Sequence, residues 1–195
     1  MDKHPVSLQV EPPTRTARIH VVTRLALLLA IGAIGCSSIY WILYLTLPTF
    51  AALMILQKGE DRYLIEDGRR IVRVLRWLAS AYGYLWLLTD VLPTADGNPV
   101  DLRIEVSGRP TSTSALLRLL LSIPALFLVA ALSMIGAVVW LMGAVCILAV
   151  ERMPTFISEF LTLMLRFQFR LIAYHLSLVD RYPSLESSSL AHAHT

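Results

Sequence analysis

The stretch that decides the fold runs from Leu25 to Gln57 and reads LALLLAIGAIGCSSIYWILYLTLPTFAALMILQ. Arg24 precedes it and Lys58 follows it, and no ionisable carboxylate or amine interrupts it. Because about 20 apolar residues already cross the hydrocarbon core of a bilayer, the stretch predicts an integral membrane protein. It is also far longer than the apolar core of a secretory signal, so the N-terminal segment is expected to be retained and not cleaved.

The composition agrees with this prediction. Hydrophobic residues make up 56% of the chain and the mean hydropathy is +0.63, whereas soluble domains contain about 45–50% apolar residues. The formal net charge of +3 is not gathered into a basic tract, which argues against nucleic acid as a partner. Cys36 and Cys146 both lie in apolar runs, where a cysteine packs as a small hydrophobe.

A second charge-free run, from Leu119 to Val150, suggests an internal repeat. Pro5 to Glu11 matches Pro99 to Glu105 at an offset of 94 residues, and further pairs follow this offset and then one of 90. The pairs at 94 are Arg15 with Arg109 and Arg24 with Arg118; those at 90 are Leu75-Arg76-Trp77 with Leu165-Arg166-Phe167, Tyr84 with Tyr174, Asp90 with Asp180, and Pro93 with Pro183.

The repeat divides the chain into a first unit at 1–93, a linker at 94–98, a second unit at 99–183 and a disordered tail at 184–195. Each unit begins with a short strand, because Val6, Leu8 and Val10 alternate with polar residues. A long apolar run and an amphipathic helix follow. The predicted fold is therefore mainly α: an integral membrane helical protein of two tandem repeats, each with a long bent transmembrane helix and an amphipathic second helix, plus short β-strands at one membrane surface.

The second unit also resembles a known family. The segments Pro99 to Glu105, Arg118 to Pro124, Leu165-Arg-Phe and Val179 to Ser184 resemble bacterial membrane proteins grouped as domain of unknown function 4389. The first unit keeps Leu75-Arg-Trp but has Val91-Leu92 where the family pattern has Arg-Tyr. The resemblance implies a bacterial envelope protein with paired domains, and it implies no activity.

The apolar runs are too long for one straight crossing. At 1.5 Å per residue, 32 residues form a helix of about 48 Å, against a core of about 30 Å. The favoured interpretation is a bent span from Leu25 to Leu45 that breaks near Pro48, with Tyr40, Trp41, Tyr44 and Trp140 as interfacial aromatics. The alternative is a hairpin of two short helices that turns near 32–38 or at Gly136. The small residues Gly32 with Cys36 and Ser133 with Ala137 predict close helix packing.

The second helix of each unit carries a polar stripe, formed by Arg69, Arg73, Arg76 and Ser80 in one and by Thr162, Arg166 and Arg170 in the other. Such a helix either lies in the interface or crosses with the stripe turned inward. The chain is predicted to be a multi-pass protein of the inner (plasma) membrane, and the distribution of its basic residues favours a cytoplasmic N-terminus.

Arg76 and Arg166 are the leading candidate site, because they occupy matching positions in apolar surroundings. They predict binding of anionic lipid headgroups or of a carboxylate on a partner helix. The alternative is that each arginine snorkels or pairs inside its own unit, with Asp90 and Asp180 capping the helices. An arginine and the aspartate fourteen residues later lie about 21 Å apart on one helix, so any pairing joins different helices. The complete candidate set is Arg76, Arg166, Arg73, Arg170, Asp90, Asp180, Tyr84 and Tyr174.

The sequence contains no nucleophile elbow, phosphate loop or dinucleotide fingerprint. His192 and His194 fall in the predicted tail, and neither metal nor cofactor is expected. The predicted function is a non-enzymatic accessory or scaffold subunit of a larger bacterial membrane assembly, with membrane lipids and other membrane subunits as partners. The alternative is lipid binding or small-solute transport through a cavity between the two halves, lined by Arg76 and Arg166.

Overall fold

The computed structural model describes residues 4–10, 13, 16–33, 36–92, 100–106 and 111–183, and it describes side chains within these ranges except at 30–45. The predicted interfacial aromatics Tyr40, Trp41 and Tyr44, the Gly32 and Cys36 pair, the linker and the tail lie outside the described residues or side chains. The elements are, in chain order, β1 (Val6–Val10), α1 (Arg18–Ala33), α2 (Cys36–Lys58), α3 (Glu60–Arg62), a π-helical turn (Tyr63–Asp67), α4 (Gly68–Leu85), β2 (Val100–Ile104), α5 (Ser112–Leu121), α6 (Ile123–Val150) and α7 (Thr155–His175).

The predicted mainly helical fold with short strands is confirmed. β1 and β2 form a two-stranded antiparallel sheet in which Leu8 lies opposite Leu102. Alternate residues are buried along both strands, as the period-two pattern predicts. The buried face packs on α4 and α7 in the main core, and the other face exposes Ser7, Gln9, Asp101 and Arg103.

The favoured break near Pro48 is wrong. α2 continues through Pro48 to Lys58, because ending a helix in apolar surroundings would leave more backbone groups without a partner than the single hydrogen bond that a proline removes. The first run is instead divided between α1, which ends at Ala33, and α2, which begins at Cys36, within the range 32–38 that the alternative interpretation gave. The second run is divided at Ser122, where Pro124 opens α6 at a position that needs no N–H donor. α6 then continues through Gly136, so no hairpin turns there.

α6 and α7 pack antiparallel, and glycines on α6 allow their close approach. A Cβ added at Gly136 would lie 2.7 Å from the Sδ atom of Met164, and one added at Gly143 would lie 3.2 Å from Cγ2 of Ile157. Two smaller clusters join the long helices. Ala51, Ala52 and Ile55 of α2 meet Ala115 of α5, and Val21 of α1 meets Ala144 and Ile147 of α6.

Among the helices whose residues are fully described, α6 alone is long and apolar enough to cross a membrane by length and composition. Only 22% of its most apolar stretch is buried, so its side chains do not resemble those of a core helix in a soluble protein. One such helix is weak evidence for a membrane location, and it does not support the multi-pass arrangement expected from the sequence.

Candidate functional site

Arg118 of α5 is the centre of a buried cluster at the end of α7. Its guanidinium donates hydrogen bonds to the carbonyl oxygens of Tyr174, at 3.0 Å, and of Val179, at 2.6 Å. It also donates to Oδ1 of Asp180 and lies over the Tyr174 ring, 4.7 Å from its centroid. Arg118 is 5% exposed, whereas the side chain of Asp180 is 49% exposed. Burial raises the pKa of Tyr174, and the Arg118 guanidinium opposes that rise.

Arg24 of α1 forms a similar cluster at the end of α4. Its Nη2 atom donates to the carbonyl oxygen of Thr89 at 2.5 Å and to Oδ1 of Asp90 at 2.8 Å. The guanidinium lies 4.4 Å from the centroid of the Tyr84 ring. Arg24 is fully buried, and the side chain of Asp90 is 19% exposed. Among the described residues, Arg24 therefore depends on fewer acceptors than Arg118 does.

The local chain explains why an arginine binds at each place. Both helices end in a residue with positive φ, followed by an N–H that bonds to a carbonyl five residues back, as in a Schellman motif. These are Leu87 (φ 65°) with the bond from Leu88 N to Gly83 O at 2.9 Å, and Ser177 (φ 55°) with the bond from Leu178 N to Ala173 O at 3.0 Å. Since the carboxyl end of a helix carries partial negative charge, a guanidinium is stabilised there.

Arg76 and Arg166 bind the outer edges of the sheet. Nε of Arg76 donates to the carbonyl oxygen of Leu102 at 3.0 Å, and Arg166 donates to that of Leu8 from Nε at 3.2 Å and from Nη2 at 3.0 Å. The bond from Glu105 N to the carbonyl oxygen of Pro5 at 2.9 Å sets the alternation of the ladder, so the carbonyls of Leu8 and Leu102 point away from the partner strand. Each arginine thus satisfies a backbone acceptor that a sheet edge would leave open.

The other predicted arginines differ in exposure. Arg170 is 6% exposed, and its Nε atom lies 3.4 Å from the carbonyl oxygen of Val6. Arg73 lies on the exposed face of α4 together with Arg69 and Arg70. The polar stripe therefore turns inward on α7, whereas most of it faces outward on α4.

In the structure the predicted aspartates and tyrosines do contact arginines, but these arginines are not Arg76 and Arg166. Asp90 and Tyr84 contact Arg24, and Asp180 contacts Arg118. The sequence argument that any such pair joins different helices agrees with this geometry. The sequence argument did not include Arg24 and Arg118 among the candidate site residues. Their shared offset of 94 residues, at the start of the two apolar runs, could have indicated them.

Two further buried titratable groups are Tyr63 and His175. Tyr63, in the π-helical turn, is fully buried and donates its hydroxyl to the carbonyl oxygen of Leu176 at 2.5 Å. Burial raises the pKa of Tyr63 well above its usual value. Burial, together with the Arg118 guanidinium, lowers the pKa of His175 to about 4. Among the described residues, no group of three His, Cys, Asp or Glu side chains could hold a metal ion.

The fold and the clusters together define a mainly helical protein with an apolar helical surface and guanidinium contacts that connect distant segments. Residues 112–185 match the family model described as Domain of unknown function (DUF4389), which supports membership of that family. The match includes the Arg118 cluster and Arg166. No curated protein and no solved structure matches the chain.

Proposed function

We propose that the chain consists of two tandem copies of the DUF4389 unit and is a non-enzymatic accessory or scaffold subunit of a bacterial inner-membrane assembly. The observation that carries the proposal is how the chain uses three of its buried or half-buried arginines. Arg24, Arg118 and Arg166 bind carboxylates or backbone carbonyls within the chain, while large apolar side chains remain on the outside.

The duplication is supported by contacts that recur in both halves. Arg24 with Asp90 corresponds to Arg118 with Asp180 at the offsets found in the sequence. The bonds from Arg76 to β2 and from Arg166 to β1 are exchanged between the halves. A single copy would leave its strand unpaired, so we expect the two copies to fold together.

The membrane location is supported by the apolar surface. Several large apolar side chains on α1, α5 and α6 are between 46% and 76% exposed, among them Leu25, Leu29, Leu120, Phe127 and Met134. Exposed apolar surface on this scale is typical of a membrane or protein contact. Several crossings of the inner membrane with a cytoplasmic N-terminus, as the sequence predicts, are one way to place this surface in lipid.

The accessory role is supported by the nature of the described polar contacts. The Arg24 and Arg118 guanidiniums donate to acceptors in the same chain, and these acceptors include Asp90 and Asp180. A general acid or base would need a free partner within reach of a substrate. These groups stabilise the fold, and the exposed helices remain for contacts with lipid and with other subunits.

The test is native mass analysis of the tagged protein after gentle extraction from its own membrane. We expect a second protein at a fixed ratio, absent when an unrelated tagged membrane protein is extracted in the same way. Arg118→Met, which should loosen the α5 contact with α7, is expected to lose this partner. A solitary, monodisperse protein would contradict the accessory role.

A cavity favours a second candidate function, the binding of a lipid chain. The cavity measures about 250 Å³ and lies between α1, α4 and α6, lined by Leu28, Leu85, Trp86, Ser133, Gly136, Ala137 and Trp140. Its lining suits an acyl chain better than a polar solute, and the volume is below the roughly 300–1,000 Å³ of drug-sized sites. Neither Arg76 nor Arg166 is among its described lining residues, so the transport path predicted between them has no support from this cavity.

This second candidate is tested by filling the cavity. Ala137→Trp should reduce the amount of lipid that copurifies, whereas Ala131→Trp, at an exposed position of α6 outside the described lining, should not. Equal lipid in the two variants would exclude the cavity as the binding site.

A further inference from the structure

The orientation of α6 relative to a membrane is limited by what packs beside it. α7 accompanies α6 along its length, since Ile157 approaches Gly143 and Met164 approaches Gly136. At the far end, Arg118, just before α6, binds the carbonyl oxygen of Tyr174. If α6 crossed a bilayer, α7 would therefore cross beside it at the same depth.

The sheet is attached to the same part of α7. Arg166, which holds the edge of β1 through Leu8, is two residues from Met164, or about 3 Å along the helix axis. Met164 packs at Gly136, close to the middle of α6 (Ile123–Val150). If α6 crossed a bilayer, β1 would thus lie near its midplane.

The outer face of the sheet is unsuited to that depth. Asp101 and Arg103 form an ion pair at 2.9 Å, and their side chains are 51% and 76% exposed. Ser7 and Gln9 are exposed beside them. Charged side chains and open sheets are strongly disfavoured in contact with hydrocarbon. A crossing by α6 would bring this polar face with it.

We infer that α6 lies along one surface of the membrane, with its apolar side in a single leaflet, and does not cross. In this arrangement α7 and α4 lie above α6, and the sheet turns its polar face to water. The length of α6 is about 42 Å at 1.5 Å per residue. A helix that lies in the membrane plane does not have to match the roughly 30 Å thickness of the hydrocarbon core. The inference rests on the membrane location proposed above and is independent of the accessory role.

The exposed face of α4 fits this arrangement. Arg69, Arg70 and Arg73 are exposed, Trp77 is 51% exposed, and Gly68–Leu85 contains no acidic residue. None of the three arginines forms an ion pair with another described side chain. Arginine with tryptophan on one helix face is typical of helices that bind anionic headgroups in the interface.

α7 acts as an internal comparison for this basic face. The positions 90 residues after the three arginines are Glu159, Phe160 and Leu163. α7 therefore packs on β1 without arginines at these positions. Nearby acidic groups do not cancel the charge. Asp67 is paired with Lys58 at 2.7 Å, which leaves the exposed Glu66 as the nearest acidic side chain before α4.

The first test places single cysteines at the two ends of the α5 and α6 region. Thr113→Cys and Arg152→Cys are made at exposed positions in a Cys36→Ala, Cys146→Ala background. Sealed right-side-out and inverted vesicles are then treated with an impermeant maleimide. We expect both positions to react from the same side, together with Gln9→Cys on the sheet. Reaction of the two end positions from opposite sides would overturn the inference.

Failure of the membrane proposal would look different. A protein that leaves the vesicles without detergent would refute the membrane location itself, whereas opposite-side labelling of a retained protein refutes only the in-plane arrangement. Loss of a copurifying subunit bears on neither result.

The second test compares Arg73→Gln with Arg103→Gln, which removes the same charge from the water-facing sheet. The lipid that each variant retains in detergent solution is measured by native mass analysis after addition of phosphatidylglycerol or of phosphatidylcholine. We expect Arg73→Gln to weaken retention of phosphatidylglycerol about five-fold and Arg103→Gln to leave it nearly unchanged. Equal effects of the two variants would contradict the assignment of α4 to the headgroup region.

Discussion

Removing the Arg118 guanidinium should destabilise the protein more than any change to its aspartate partner. Arg118→Met leaves the buried carbonyl of Val179 without its described donor, whereas that of Tyr174 keeps a bond from Ser177 N at 3.0 Å. An unsatisfied buried acceptor costs about 1–3 kcal/mol, and the contact of the guanidinium with the Tyr174 ring is also lost. Asp180 adds little, because its side chain is 49% exposed and can be hydrated. We expect a loss of about 2–4 kcal/mol in the free energy of unfolding.

The two aspartates provide a matched comparison. Asp180→Asn should cost less than about 1 kcal/mol, since an exposed ion pair contributes little. Asp90→Asn should cost about 2–3 kcal/mol, because Asp90 is only 19% exposed and Arg24, which is fully buried, bonds to just one described carbonyl. The two substitutions remove the same charge, so a difference between them reports the burial of the aspartate and the number of other acceptors that its arginine has.

The assay is thermal unfolding followed by circular dichroism in one detergent. A change of 1 kcal/mol moves the midpoint by about 2–4 °C in a protein of this size, so Arg118→Met should lower Tm by roughly 10 °C. Asp180→Asn should lower it by no more than about 4 °C. Equal effects of the two aspartate variants, or an unchanged Tm for Arg118→Met, would refute the reasoning from burial.

Four further predictions concern single residues. Arg166→Leu should cost about 1–3 kcal/mol by leaving a β1 carbonyl unsatisfied and should speed hydrogen exchange at that strand; unchanged stability would favour a lipid-facing arginine. Gly83→Ala should destabilise by about 1–3 kcal/mol, because its Cβ would lie 2.7 Å from a valine methyl group of β2. Gly136→Ala should be close to neutral, because it meets a flexible methionine and gains about 1 kcal/mol of helix propensity; the reverse order of unfolding midpoints would contradict both. His175, whose pKa is lowered to about 4, should make stability constant above pH 6.5 and let it fall as the pH is lowered from 6.5 to about 4, since only the unfolded state takes up the proton there. His175→Leu, which copies Leu85 of the first half, should flatten this slope, and an unaltered slope would exclude His175 as its source.

Local patterns predicted the secondary structure well, because they depend on residues that are close in sequence. Alternation at Val6, Leu8 and Val10 indicated a strand with one buried face, and that strand is β1. The favoured break was misplaced, since Pro48 lies within α2, whereas the alternative position near 32–38 agrees with the division between α1 and α2. A proline removes one hydrogen bond, and whether the helix continues depends on its surroundings.

The sequence by itself determined the two long apolar runs, the matching arginines and aspartates, and the resemblance of the second half to DUF4389. Only the tertiary structure decided that Asp90 and Asp180 meet Arg24 and Arg118, and that Arg76 and Arg166 close the edges of the sheet. The physical reason is that periodicity records which face of one element is buried. Contacts between groups more than sixty residues apart, such as Arg24 with Asp90, depend on how the elements pack together.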